Sequence, residues 1–148
     1  MTVRVSGPGR RRDIPRIDRR LLRRRATRLL RDLTQEEAEL SLRLATDDEI
    51  QELNGEYRDK PVPTDVLAFP LLEGRGVEFR GGLLGDVVIS LETAAGQARR
   101  SRRSLDDQVL KLLIHGTLHL LGYDHERGEQ DAREMAAEER RLWRLLQP

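Results

Sequence analysis

Apolar positions along the chain recur with two different periods. Between residues 17 and 33, Ile17, Leu21, Leu22, Leu29, Leu30 and Leu33 return at helical spacing with arginines between them. That pattern predicts an amphipathic helix whose arginines face water or a partner. Over residues 39–45, Leu40, Leu42 and Leu44 alternate with polar residues, the period of a half-buried strand. Thr46 with Glu49 three residues later reads as a capping box, opening a short helix through Leu53. Residues 64–69, held between Pro61, Pro63 and Pro70, form a predicted strand, and residues 85–90 another. The glycines Gly74, Gly76, Gly81 and Gly82 mark residues 71–82 as a loop or hairpin region. Helices are expected over 91–103, 105–121 and 129–146, the last burying Met135, Leu142, Trp143 and Leu146.

Strands and helices are thus interleaved, which predicts an α+β or α/β fold with helices packed on one layer of sheet. Periodicity leaves the strand order open. No repeat or Pro/Gly/Ser linker divides the 148 residues, so residues 1–148 are read as a single domain. Without cysteine, disulfides and thiolate metal sites are excluded, and a borderline metal must be taken by histidine and carboxylate. The opening MTVRVSGPGRRR lacks the apolar stretch of a secretory signal, and no window reaches membrane-spanning length. A cytoplasmic protein without membrane association is the expectation.

The net charge of +1 conceals an asymmetry. Residues 1–33 hold twelve arginines against Asp13, Asp18 and Asp32, a local net of +9 that leaves −8 for the remainder. The basic run from Arg10 to Arg31 would attract phosphate by counterion release. It reads equally as a solvated face, because Lys60 and Lys111 are the only lysines among 27 basic residues and arginine serves as the general surface cation.

All three histidines fall within His115-Gly-Thr-Leu-His119-Leu-Leu-Gly-Tyr-Asp-His125. Four-residue spacing on a helix projects His115 and His119 from one face. Gly122, at a helix-ending position, can take a left-handed conformation and turn His125 back toward them. Three neutral nitrogen ligands with a fourth position open are the arrangement of catalytic zinc, since closed structural sites use four protein ligands. Nickel, copper and cobalt also suit imidazole. The spacing overlaps the metzincin pattern His-Glu-x-x-His-x-x-Gly-x-x-His, but Gly116 stands where that pattern has its general base. Peptide hydrolysis by that route loses its base, while phosphodiester hydrolysis stays open to a metal that acidifies water and polarises a phosphoryl oxygen. Neutral ligands leave the ion its full charge, which suits an anionic substrate.

The stretch LLIHGTLHLLGYDH, with the earlier LNGEYRDKPVPTDVLAFP and GDVVIS, resembles the YbeY endoribonuclease family from about Leu53 to the helix containing Met135 and Glu138. The resemblance implies a small mixed four-stranded sheet packed with several helices, about five, in an α+β domain, and a zinc ion on His115, His119 and His125. It implies single-strand-specific endoribonuclease activity in ribosomal RNA maturation and quality control, notably of the small-subunit RNA. RNA, the ribosomal small subunit and its associated proteins would be the partners, with no DNA. Arg58 matches the family's arginine after tyrosine and is implied to lie in the cleft, where a guanidinium can hold a phosphate by two parallel hydrogen bonds. Asp65, Asp86 and Asp124 are candidates for orienting a histidine or assisting proton transfer, and each reads equally as a turn or cap residue; Asp124 comes first because it adjoins His125. Ala68 replaces the serine often found before Phe-Pro in the family, and the arginine run exceeds the family pattern.

Two other readings stand beside the nuclease. One is a ribosome-associated RNA-binding assembly factor with a mainly structural zinc. The other is a metal hydrolase of peptides or small molecules, disfavoured by Gly116 and by an aromatic content of 3%.

Overall fold

The computed structural model describes residues 1–8, 13–71, 79 and 81–147. Nine regular elements follow in the order β1 (Thr2–Ser6), α1 (Arg19–Leu33), β2 (Ala38–Ala45), α2 (Asp47–Arg58), β3 (Val66–Pro70), β4 (Gly82–Ser90), α3 (Leu91–Ser101), α4 (Leu105–Leu120) and α5 (Glu129–Leu146). The strands form one mixed sheet in the order β1-β2-β4-β3, with β1, β2 and β4 parallel and β3 antiparallel at the edge. This is the α+β fold with a four-stranded sheet and five helices that the family resemblance implies.

Strand alternation sorts the apolar residues onto two faces. Leu40, Leu42 and Leu44 of β2 and Val87 and Ile89 of β4 face the larger core, which α1, α4 and α5 complete with Leu29, Leu30, Leu113, Ile114, Met135 and Leu142. Each fully buried leucine contributes about 2 kcal/mol by removal from water. The opposite face carries a smaller cluster of Ala45, Leu67 and Val88 against Ile50 of α2. Helix α4 is therefore pressed directly onto the sheet, and His115 and His119 ride on it.

Several boundaries differ from the sequence reading. β1 was not expected: TVRVS has only one apolar repeat, Val3 and Val5, and its pairing with β2 makes it a strand. α2 continues past Leu53 to Arg58, because buried Asn54 donates from Nδ2 to the Val62 carbonyl (3.0 Å) and Gln51 donates to the Pro61 carbonyl (3.1 Å). Tertiary partners beyond the helix thus stabilise its last turn. β4 begins at Gly82, inside the expected loop region; Gly74 and Gly76 lie outside the described residues.

The arginines of α1 do not all face outward. Arg25 is buried and donates to Asp107 (2.9 Å) and to the Asp106 carbonyl (3.4 Å), tying α1 to the start of α4. A buried guanidinium is tolerated here because a carboxylate and a carbonyl satisfy it. Arg16, Arg20, Arg23, Arg24, Arg28 and Arg31 are exposed, and Arg10–Arg12 lie outside the described residues. No described helix is long and apolar enough to cross a membrane.

Candidate metal centre

Two neighbouring positions on α4 face in different directions, and that division builds the site. Gly116 faces the sheet: a Cβ there would lie 2.9 Å from Val87 Cγ1 and 3.2 Å from Val66 Cγ2. The missing side chain lets α4 sit close to β3 and β4. His115 and His119, one turn apart on the helix, are half-buried, with their Nε2 atoms 3.1 Å apart and ring centroids 4.7 Å apart.

Helix α4 ends in a Schellman turn. Gly122 takes a φ of +96° and donates to the His119 carbonyl (3.0 Å), while the Tyr123 N–H donates to the Leu118 carbonyl (3.1 Å). Tyr123 packs on the core, so the reversal is anchored. His125 then opens a single 3₁₀ turn, His125–Arg127, capped by Asp124, whose carboxylate accepts from the Glu126 N–H at 2.9 Å. Arg127 closes the loop by donating to the Gly122 carbonyl and by pairing with Asp124 at 3.5 Å. The His125 ring stands 5.6 and 5.5 Å, centroid to centroid, from His115 and His119.

One ring nitrogen from each histidine lies within 4.8 Å of the others, and these three form a group able to hold a metal ion among the described residues. The donor set fits such an ion. Two nitrogens bound tetrahedrally to one zinc-sized ion sit about 3.3 Å apart, close to the spacing of the His115–His119 pair. Burial, followed by the neighbouring His115 and His125 charges, holds the His119 pKa below its ordinary 6.5 and favours the neutral, ligating form.

A carboxylate backs the site from α5. Glu139 Oε2 lies 3.4 Å from His115 Nδ1, the nitrogen that does not face His119. His115 is the leading cause that keeps the Glu139 carboxyl below the usual glutamate range. A carboxylate at that distance is placed to orient the ring, as partners behind ligating histidines do. Sequence reasoning missed Glu139, although a signal existed: it falls between Met135 and Leu142 on the buried stripe of an amphipathic helix, where a carboxylate needs a partner.

Of the aspartates singled out in sequence, none contacts a ring nitrogen. Asp65 accepts from the Val66 N–H (2.8 Å) and Gln97 (3.0 Å), starting β3 and lining the cleft. Asp86 is exposed on the sheet face away from α4, one residue out of phase with Val87. Asp124 lines the cleft but spends its carboxylate on the Glu126 cap and Arg127; the histidine-orienting contact belongs to Glu139. Arg58, in contrast, shares with the three histidines a cleft of about 350 Å³ floored by Val66, Ala68 and Pro70 of β3. An edge-to-face contact of Tyr57 with Phe69, 5.4 Å between centroids, pins the end of α2 beside that strand.

Comparison with known proteins adds identity to this geometry. Residues 11–147 match the family model described as Endoribonuclease YbeY. The chain belongs to this family. A YbeY relative from Syntrophotalea carbinolica, named Endoribonuclease YbeY, is 49% identical over 119 residues, covering 80% of this chain and 79% of its own. Another of the same name from an Anaeromyxobacter species is 50% identical over 144 residues, covering 97% of this chain and 71% of its own. The solution structure of TM1509 from Thermotoga maritima superposes with a TM-score of 0.66 at 27% identity, covering 98% of this chain and 89% of that one. Membership makes this YbeY-family chain an enzyme, an endoribonuclease hydrolysing internal RNA phosphodiester bonds.

Proposed function

We propose that the chain is a zinc-dependent, single-strand-specific endoribonuclease of ribosomal RNA maturation and ribosome quality control, acting in the cytoplasm on small-subunit RNA. The observation that carries this reading is the convergence of His115, His119 and His125 in a cleft that also holds Arg58. The three imidazoles would hold the ion, whose contribution is Lewis acidity: polarising a phosphoryl oxygen and acidifying water. Three nitrogen donors without a fourth protein ligand are a set that catalytic zinc uses, and other divalent transition metals fit the same donors.

The remaining groups act from fixed places. Arg58 binds the scissile phosphate and offsets the charge that grows on it, its parallel N–H groups matching two phosphate oxygens. Glu139, 3.4 Å from His115 Nδ1, backs that ring from α5. Ala68 and Pro70 line the cleft without hydrogen-bonding side chains, so its polar side chains are Arg58, Thr64, Asp65, Asp124, Glu126 and the histidines. The absence of a fourth protein ligand among the described residues, with all three histidines lining the cleft, supports the enzyme over an assembly factor with a structural zinc.

The test is cleavage of a labelled single-stranded RNA by purified protein, with metal content measured on the same sample. Loss of cutting in His115→Ala and on chelation supports the reading. Cutting that survives both rejects it.

A further inference from the structure

Beyond the cleft that holds Arg58, the surface continues as a groove. A second cavity of about 330 Å³ shares Asp65 and His115 with the first, and a third of about 250 Å³ shares Lys111 and Glu139 with the second. The three form one trough along α4 from Arg58 to Trp143. On that helix Lys111, His115 and His119 stand in a single stripe at four-residue steps, each step advancing about 6 Å along the axis. The middle section is cationic: exposed Arg100 and Lys111 stand beside Arg103. Arg103 is held in place by Gln108 (2.8 Å) and lies over the Trp143 ring, 5.2 Å from its centroid.

Two carboxylates line the same section, and both are turned to internal partners. Asp65 is occupied by Val66 and Gln97, and Glu139 by His115. What remains toward solvent is positive. At the far end Trp143, Ile114 and Ala136 make an apolar recess beside Arg140.

From this arrangement we infer that the trough beyond His115 is an RNA subsite, taking nucleotides on one side of the cleaved phosphate. Arg100 and Lys111 contact successive phosphates, and an unstacked base enters the recess between Ile114, Ala136 and the part of Trp143 that Arg103 leaves uncovered. The inference rests on the endoribonuclease reading and extends it to the length of strand engaged. Cations tracking a backbone with an apolar recess beside them suit single-stranded nucleic acid, whose bases are free to leave the stack. A duplex, with its bases paired, cannot fill the Trp143 recess.

Binding of a fluorescein-labelled single-stranded RNA is measured by anisotropy across a salt series, in the His115→Ala background so that the strand stays uncut. Adding Arg100→Glu and Lys111→Glu is expected to raise Kd about tenfold near 0.1 M salt. The slope of log K against log salt should fall by about 1.4, from 0.7 per single-strand phosphate contact. A control pair, Arg133→Glu with Arg144→Glu on exposed positions outside the trough, makes the same change in net charge and is expected to bind as the parent does. Equal weakening by the control pair, or an unchanged Kd and slope in the trough pair, overturns the subsite. Trp143→Leu, read in the same assay, is expected to lose affinity without changing the slope; unaltered affinity removes the base from the proposal. Failure of the nuclease reading shows separately, as RNA cutting by the otherwise wild-type protein that neither His115→Ala nor chelator affects.

Discussion

Glu139 Oε2 lies 3.4 Å from His115 Nδ1, so α5 reaches across to back a ring that α4 presents. Carboxylates behind ligating histidines raise ring basicity and fix orientation, and their removal costs about 10- to 100-fold in metal affinity. Glu139→Ala is expected to weaken zinc binding by that amount while leaving the helix content intact. Glu139→Gln, which keeps the shape and can still accept from Nδ1, should recover part of it. Competition with a chromophoric chelator measures both, and an unchanged zinc affinity in Glu139→Ala would show that His115 needs no orienting partner.

Stability of the metal-free protein should depend on pH through His119. Burial depresses its folded pKa below the ordinary 6.5, so the unfolded chain binds the proton more readily than the folded one. The contribution is present in full above pH 6.5, shrinks as pH falls from there, and is lost once pH has passed through the lower folded value. Urea midpoints of chelator-treated protein are expected to fall over that window, and His119→Gln should flatten the decline. A decline of equal steepness in the variant would assign it to other groups.

At Gly116 the space is already taken. A methyl group there would meet Val87 Cγ1 at 2.9 Å, so Gly116→Ala should separate α4 from the sheet and cost about 1–3 kcal/mol in urea denaturation. Val87→Ala, added to it, should return part of the loss by removing the clashing methyl. Non-additivity of the two is the signature, since residues in contact couple where distant ones do not.

Arg58 stands in the cleft without belonging to the ligand group. Arg58→Ala should therefore reduce the cleavage rate about 100-fold, the usual scale for one donor to developing charge, with zinc content unchanged. Arg58→Lys retains charge but not the two parallel donors and should recover only a fraction. Single-turnover rates on a labelled RNA, with metal analysis of each variant, separate these outcomes; a rate equal to wild type in Arg58→Ala would place the phosphate elsewhere.

Much of this was readable along the chain. Helix spacing put His115 and His119 on one side of α4, and glycine chemistry placed the reversal at Gly122, where φ is +96°. Both are local rules, satisfied within a few residues. The periods of β2, α1 and α5 were likewise legible, because one buried face imposes them. What local rules missed depended on distant partners. β1 exists through pairing with β2, the last turn of α2 through Asn54 and the proline turn, and the burial of Arg25 through Asp107.

The amino-acid order by itself therefore determined which side chains were able to share an ion and how the backbone turns to bring them near. Tertiary packing alone decided which carboxylate stands behind His115, why Gly116 bears no side chain, and that Arg58 joins the histidines across β3. The physical reason is that a helix or turn is specified by neighbours in sequence, whereas a cleft is the space left between elements and depends on how closely they pack.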